Sequence, residues 1–356
     1  MRRPPLLAAV VLSACVGLVG GSLAAWAIYA RFGPVERVVT QLAPQPGGNG
    51  SAPSAAQLAQ VAAASVVQIA TRPIDAQTLL AGGTGLVNGF AVSSDGLIVT
   101  SIHAIRGATS LRVATPDGHA YDATVVLSDP AHGMALLRAT GASQLTALSF
   151  TGQPAVPGDA AIVVAREPFS GVTLSAGTVS STGRQVTLGD GEPQLKSVLT
   201  VDATPDPRAD GAPLVSGAGQ VTGVVVDAGS SAPGVVALSA SAAATLVRQA
   251  QSGGPVGVPS FGVSDYVLID SATAAAAGLP PGALLRALEP GGPMAAAGLH
   301  PGDVVTAVGG VPIDSTHPLD AAALGLTPTQ QVNIFVWSAG ALHNLTVAVG
   351  STAASG

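Results

Sequence analysis

A tight loop between two strand-like runs constrains the fold of this chain more than any other segment. The loop reads TVDATPDPRADGAPLV at residues 200–215, and β-branched runs lie beside it at residues 197–201 and 221–226. Its glycine and prolines interrupt a strand, so the chain must turn sharply between two short strands. A loop of this kind holds a side chain and backbone N–H groups out of a sheet, where they can meet a ligand.

The composition favours many short strands over long packed helices. The chain has 356 residues with 45 glycines and 27 prolines, only 3% aromatic residues and 47% apolar residues. This length allows two or three domains with a sizeable core. The net charge of −6 without a basic stripe argues against nucleic-acid binding, and the single cysteine excludes a disulfide framework. All but one of the 14 basic residues are arginines, which is typical of GC-rich bacterial coding.

The amino terminus predicts a membrane anchor. Arg2 and Arg3 precede an uncharged, largely apolar stretch at residues 4–30, which exceeds the roughly 20 residues that a bilayer-spanning helix needs. A Pro- and Gly-rich linker follows at residues 31–54. A cleaved signal peptide and lipidation at Cys15 are the alternatives. All three interpretations place the bulk of the chain outside the cytoplasm, and we expect a single-pass cell-membrane protein.

The tight loop resembles the nucleophile loop of trypsin-like serine proteases of the HtrA family, TDAxINPGNSGGPLV. The matching positions are Asp202, Pro207, Gly211, Pro213, Leu214 and Val215. Asp210 stands at the position of the nucleophilic serine, and Arg208 stands at the glycine two residues before it. The resemblance therefore implies a protease frame whose nucleophile is lost. We expect Arg208 or a protonated His103 to neutralise Asp210.

Two further stretches resemble the remaining parts of a catalytic triad. The run LIVTSIH at residues 97–103 is similar to the family stretch that carries the catalytic histidine, which implies that role for His103. The run SDPAHGMALL at residues 128–137 is similar to the family's xDPxxDIALL, and Gly133 stands where the second aspartate orients the histidine. His132, beside the lost aspartate, is predicted to be an exposed loop residue. Only the base of the triad is retained.

The carboxy-terminal part resembles a PDZ domain. Residues 287–313 read ALEPGGPMAAAGLHPGDVVTAVGGVPI, which is similar to PDZ domains of bacterial proteases. The resemblance implies a peptide site whose carboxylate loop is Phe261, Gly262 and Val263. A helix at residues 319–326 is expected to line the groove with Leu319 and Ala323, which favours a ligand with an apolar C-terminal side chain.

Together these segments predict a mainly β protein with two six-stranded antiparallel barrels, an α+β PDZ domain and one N-terminal transmembrane helix. The predicted domains are the anchor, the linker, the protease-homology barrels and the PDZ domain, at residues 1–30, 31–54, 55–252 and 258–350.

The predicted function is that of an HtrA-like pseudoprotease that binds peptide C-termini or exposed strands as an adaptor, scaffold or regulator in envelope protein quality control. The alternative is an active serine endopeptidase whose nucleophile lies elsewhere, with Ser216 and Ser239 as the nearest candidates. A homo-oligomer or mixed oligomer with HtrA-type proteases is a further expectation. No cofactor or metal is predicted, since the spacing of His103, His119 and His132 does not favour a metal site.

Overall fold

The computed structural model describes residues 61–77, 85–168, 170–189, 194–229, 234–252 and 257–353. The predicted membrane helix at residues 4–30 and the linker at residues 31–54 lie outside these ranges. Within the described ranges, no helix is both long enough and apolar enough to cross a bilayer.

The first half of the described chain closes into a six-stranded antiparallel barrel in the order β1-β2-β3-β6-β5-β4, where β4 pairs back onto β1. Its elements are β1 (Val66–Ala70), β2 (Leu86–Ala91), β3 (Leu97–Ser101), α1 (Ile102–Ile105), β4 (Arg112–Ala114), β5 (Ala120–Asp129) and β6 (Met134–Ala139).

A second closed antiparallel barrel follows in the order β10-β11-β12-β9-β8-β7, with β10 pairing β7. Its elements are β7 (Ala160–Glu167), β8 (Gly171–Val186), β9 (Leu195–Val201), a 3₁₀ helix (Pro207–Ala209), β10 (Pro213–Ser216), β11 (Val221–Asp227), β12 (Val235–Ser239) and α2 (Ala240–Gln251). The two barrels confirm the predicted mainly β class.

The strands alternate between two apolar environments. In β3, Ile98 points into the first barrel, while its neighbours Leu97 and Val99 pack in the seam between the barrels. In β11, Val225 lies inside the second barrel and Val224 lies in the same seam. Successive side chains of a strand point to opposite faces, so strands buried on both faces need continuous apolar runs. This explains why the sequence shows unbroken β-branched segments rather than an apolar–polar alternation.

The carboxy-terminal part forms a sheet in the order β14-β15-β16-β18-β19, with β17 beside β16 and a separate β13–β20 pair. Its elements are β13 (Gly257–Ser260), β14 (Val263–Ile269), α3 (Ser271–Ala277), β15 (Gly282–Leu288), α4 (Pro293–Ala296), β16 (Val304–Val308), β17 (Val311–Pro312), β18 (Gln331–Ser338), β19 (Ala341–Ala348) and β20 (Gly350–Ala353). This sheet is the PDZ-type part of the molecule.

The expected groove helix at residues 319–326 is wrong. The segment is a series of turns, with one helical hydrogen bond from Leu324 N to Asp320 O at 3.0 Å. Gly325 ends the segment in the left-handed region at φ +73°. So short a segment forms too few hydrogen bonds to offset the free-energy cost of nucleating a helix.

The same segment packs into the barrels. Ala322 is fully buried in the apolar cluster that includes residues of both barrels and of α2, and Ala323 packs against that cluster. Leu319 instead belongs to the separate core of the PDZ sheet.

Candidate functional site

The loop between β9 and β10 places Asp210 directly after the 3₁₀ helix, at the position that the family resemblance assigns to the nucleophile. Its Oδ1 atom accepts a hydrogen bond of 2.8 Å from Ala228 N. Burial raises the pKa of Asp210 to about 7; the Ala228 N–H opposes this shift and the neighbouring charge of Asp227 adds to it. Near neutral pH the position therefore holds an acid that is only partly ionised.

The charge of Asp210 is not neutralised in the way the sequence led us to expect. The side chain of Arg208 is half exposed and lies 3.7 Å from Asp206 Oδ2. Among the described residues, no hydrogen bond or ion pair joins His103 to Asp210. The two side chains at the positions of base and nucleophile are thus not engaged with one another.

The backbone of the loop is also arranged differently from an oxyanion hole. Such a hole needs free N–H groups aimed at the developing charge. Here Arg208 N donates to Asp206 Oδ1 at 2.8 Å, because Asp206 caps the 3₁₀ helix. One of the two expected oxyanion donors is therefore already occupied.

Asn88 of β2 holds this loop against the first barrel. Its Nδ2 donates to Arg208 O at 2.8 Å, and its backbone N donates to Asp210 O at 3.2 Å. Gly211 lies so close that a Cβ there would stand 2.1 Å from Asn88 O. The sequence analysis missed Asn88; the only available signal was a polar residue inside an apolar strand.

His103 lies on the short helix α1, immediately after β3. Ser101 caps this helix by accepting a 3.1 Å hydrogen bond from His103 N. A cavity of about 40 Å³ lies beside the histidine, lined by residues of both barrels: Ser101, Ile102, Arg106, Pro130, Gly133, Leu188, Leu195 and Val226. Its lining is mainly apolar, and a carboxylate that could orient the imidazole is not among these residues.

Gly133 leaves little room for the side chain of an aspartate. It has φ +68°, in the region that disfavours most side chains. A Cβ there would lie 3.1 Å from Leu195 Cδ2 and 3.4 Å from Val226 Cγ1. Leu195 of the second barrel thus lies where a side chain at residue 133 would extend.

His132 is buried, and the expectation of an exposed loop histidine is wrong. Its side chain is 2% exposed, with Nδ1 2.5 Å from Asp129 Oδ2 and Nε2 2.8 Å from Asp320 Oδ2. Ser197 Oγ donates to the same Asp320 oxygen. These four residues, which we call the His132 cluster, join both barrels to the PDZ part.

The geometry of the cluster indicates the protonation state of His132. A neutral imidazole has one donor and one acceptor, whereas each ring nitrogen of His132 faces a carboxylate, so both must donate. Burial alone would lower the pKa of His132, but attraction by Asp129 and then Asp320 outweighs burial and raises it well above 6.5. For Asp320, burial is likewise outweighed by His132, and its pKa falls to about 2.

The predicted carboxylate loop is buried and internally bonded. Phe261 and Val263 are each 3% exposed and belong to the PDZ core. Gly262 has φ +69°; its N–H donates to Ser260 Oγ at 3.0 Å, and Lys196 Nζ donates to Val263 O at 2.8 Å. Leu319 and Ala323 lie in two different apolar clusters, so the structure does not bring them together as a groove wall.

Comparison with known families agrees with this architecture. Residues 87–224 match the trypsin-like peptidase domain model, and residues 284–338 match the PDZ domain model. Proteins named "Probable periplasmic serine endoprotease DegP-like" are similar: the one from Rhizobium meliloti is 28% identical over 74% of this chain, and the one from Bartonella henselae is 29% identical over 74%. This chain spans about half the length of these relatives, 53% of each.

Solved structures show the same fold. The HtrA-type protease AlgW with tripeptide is 25% identical with a TM-score of 0.59, over 85% of this chain and 99% of that one. The serine endoprotease from Yersinia pestis is 22% identical with a TM-score of 0.53, over 86% of this chain and 100% of that one.

Two closed barrels with a histidine after β3 and a loop before β10 define a trypsin-like peptidase domain, here followed by a PDZ domain. In this arrangement of domains the chain is similar to the HtrA-type and DegP-like proteases named above.

Proposed function

We propose that this chain is an HtrA-like pseudoprotease that binds the C-termini or exposed strands of other polypeptides through its PDZ domain. It would act outside the cytoplasm, held to the membrane by residues 1–30 and a linker at residues 31–54. Its barrels at residues 55–252 and its PDZ domain at residues 258–350 would serve as an adaptor, scaffold or regulator in envelope protein quality control.

The observation that carries the proposal is the environment of Asp210. A nucleophile must be activated by a base within hydrogen-bond reach, and that base must be oriented by a third group. Asp210 accepts from Ala228 N instead of contacting His103, and Gly133 offers no side chain to orient the histidine.

Chemistry argues in the same direction. A carboxylate that attacks an amide forms an anhydride, which is a strongly activated and unfavourable intermediate. When ionised, Asp210 also opposes an oxyanion by roughly 4 kcal/mol at about 4 Å and an effective dielectric near 20. The occupied N–H of Arg208 removes a donor that would offset this repulsion.

Peptide binding is supported by the exposed edge of the PDZ sheet. Among the described strands, β14 pairs only with β15, so its other edge offers backbone groups to which a strand can be added. The names of the relatives supply the envelope setting, since they are called periplasmic.

The test is hydrolysis of unfolded casein by the full chain, beside a rebuilt variant. We expect no turnover by the natural protein. The rebuilt variant should combine Asp210→Ser and Gly133→Asp with Leu195→Ala, because Leu195 fills the space that the new aspartate needs. A trace of activity in this triple variant, lost again with His103→Ala, would show an intact frame without its catalytic groups.

The competing function is an endopeptidase with another nucleophile. Casein turnover by the natural protein that survives His103→Ala would establish it and overturn our proposal. The two serines considered from the sequence are otherwise engaged: Ser216 Oγ accepts from Ala218 N at 3.2 Å, and Ser239 Oγ lies 3.3 Å from Ser241 Oγ.

A further inference from the structure

The only lysine of the chain reaches from the second barrel to the PDZ carboxylate loop. Lys196 lies on β9, and every other basic residue of the 14 is an arginine. Its Nζ atom donates a 2.8 Å hydrogen bond to Val263 O at the start of β14. A charged group from one domain thus lies at the ligand-binding edge of another.

The carbonyl that Lys196 contacts belongs to the open edge of β14. Gly262 O accepts a 2.8 Å hydrogen bond from Glu289 N, on the side of β15. Because successive carbonyls of an extended chain point in opposite directions, Val263 O faces away from β15. An added peptide strand would place a backbone N–H at this carbonyl, which is where the ammonium group now donates.

Ser260 occupies the other half of the expected peptide site. Its hydroxyl accepts the 3.0 Å hydrogen bond from Gly262 N, the amide that the PDZ resemblance assigns to a terminal carboxylate. Ser260 Oγ thus takes the place of the ligand carboxylate as the acceptor at Gly262 N. Lys196 Nζ takes the place of the peptide N–H as the donor at Val263 O. Both substitutes are side chains that rotation can withdraw.

A cavity next to these groups has room for a carboxylate. Its volume is about 70 Å³, and its lining includes Lys196, Ser260, Val263, His132 and Glu289. That volume is several times the roughly 10–15 Å³ that a water molecule needs. Asp320 also lines this cavity, and its ionised form is stabilised by His132 and Lys196, so the ammonium group is shared between Asp320 and an incoming acid.

We propose that Lys196 is a ligand-binding residue of the PDZ site, where it pairs with the C-terminal carboxylate of a bound polypeptide. The proposal rests on the peptide-binding function above and makes the second barrel part of the peptide site. On binding, the carboxylate replaces Ser260 Oγ at Gly262 N, the last peptide N–H replaces Lys196 at Val263 O, and the released ammonium turns to the carboxylate.

The backbone of Lys196 is held by hydrogen bonds, which keeps its ammonium group close to the carboxylate loop. Lys196 N donates to Ala131 O at 2.9 Å, and the next residue, Ser197, is 1% exposed and bonded to Asp320. The backbone of Lys196 is thus fixed relative to both the first barrel and the PDZ part, while its side chain can rotate. A polypeptide with a free C-terminus is favoured over an amidated end or an internal strand, because only the free end supplies the opposite charge.

The first test measures binding of two peptide pools to the full-length protein. The pools are decapeptides randomised at the last three positions, one with free C-terminal acids and one with C-terminal amides. We expect the natural protein to bind the acid pool about tenfold more tightly, as a charge-assisted hydrogen bond of modest exposure provides. Lys196→Met should remove this preference by weakening acid binding only, and Lys196→Arg should keep most of it.

The outcomes separate the two proposals. An unchanged acid-to-amide ratio in Lys196→Met would overturn the role of the lysine while peptide binding stands. Failure of both pools to bind the natural protein would overturn the peptide-binding function, and the role of Lys196 with it.

A second readout uses the fact that the chain has one lysine. Reductive methylation with ¹³C-formaldehyde labels only Lys196 and the amino terminus, and it keeps the positive charge. The lysine methyl signal should shift on titration with the acid pool and stay in place with the amide pool. A lysine signal that does not move while the acid pool binds would contradict the proposal.

Discussion

The Nε2 atom of His132 lies 2.8 Å from Oδ2 of Asp320, a residue 188 positions later in the chain. His132 belongs to the turn before β6 of the first barrel, and Asp320 belongs to the turn segment of the PDZ part. Their contact is buried on both sides, with 2% and 3% side-chain exposure. Loss of one partner would therefore leave a buried, uncompensated charge, which does not happen when a surface ion pair is broken.

Replacing His132 should lower the free energy of unfolding. His132→Ala leaves the buried carboxylates of Asp129 and Asp320 without their shared cation, and we expect a loss of about 3–5 kcal/mol in the free energy of unfolding near pH 6. Urea denaturation provides the measurement. His119→Ala is the matched control, because His119 is 66% exposed and pairs with Asp117 at the surface; it should cost at most about 1 kcal/mol. Equal losses for both variants would contradict the buried bridge.

Asp210 should make the protein less stable as the pH rises. Its folded pKa of about 7 lies above the ordinary value of 3.8, so the folded state binds the extra proton between these values and stability falls across that range. Asp210→Asn should leave stability unchanged near pH 4 and raise it by about 2 kcal/mol at pH 8, a discounted value because the side chain is partly exposed. Unfolding curves at the two pH values test this. A benefit that is the same at both pH values would contradict it.

The contribution of the His132 cluster to the free energy of unfolding should be constant over a range of pH and should fall on both sides of that range. The raised pKa of His132 means that its contribution is complete below about pH 6.5 and is lost as the pH rises through the folded value. The lowered pKa of Asp320 means that its contribution is present above 3.8 and is lost as the pH falls through about 2. Lys196 adds to the lowering at Asp320 and belongs to the same set of charges.

The measurement is best made in the Asp210→Asn background, where the opposing titration of Asp210 is absent. The alkaline fall in unfolding free energy should be present there and should disappear when His132→Gln is added. A fall of the same size with and without His132 would assign it to another group.

Restoring an aspartate at residue 133 should destabilise the protein unless Leu195 is also shortened. Gly133→Asp meets both a left-handed backbone and the Leu195 side chain, and we expect a cost of about 2–4 kcal/mol from strain and overpacking together. Gly141→Asp is the control, since Gly141 has φ +78° with open space around its Cβ direction, and it should show only the backbone cost of about 1 kcal/mol.

Gly133→Asp should lower the free energy of unfolding more than the control Gly141→Asp does, and adding Leu195→Ala should reduce this difference. Thermal unfolding of the single and double variants reports the coupling between residues 133 and 195. Strict additivity of the two changes would argue against the crowding that the structure shows.

The sequence was sufficient to predict the barrels but not the contacts between them and the PDZ part. Strands such as β3 and β11 are apolar runs between turn residues, and this local pattern is enough to identify them. The state of His132 depends on Asp320, which no local pattern connects to it. The segment at residues 319–326 was expected to be helical because the PDZ resemblance places a helix there, yet Ala322 and Leu319 pack into two separate cores and the segment forms turns.

The candidate site, too, could be predicted from the sequence only in part. The proposed roles of Asp210 and Gly133 as replaced catalytic positions come from the family resemblance alone. That Leu195 fills the vacated side, that Asn88 holds the loop and that Lys196 reaches Val263 depend on side chains from other strands. Such contacts between distant segments have no signature in the order of residues.

Ala322 gives the molecule a further property. This small side chain of the PDZ segment is completely enclosed in the apolar cluster that also holds residues of both barrels, so the two domains share one continuous interior. They are therefore not freely exchangeable modules. A PDZ domain transplanted from a relative would carry its own side chain into this shared core. A side chain larger than alanine would overpack it, and recombination would succeed only where the donor also brings a residue this small.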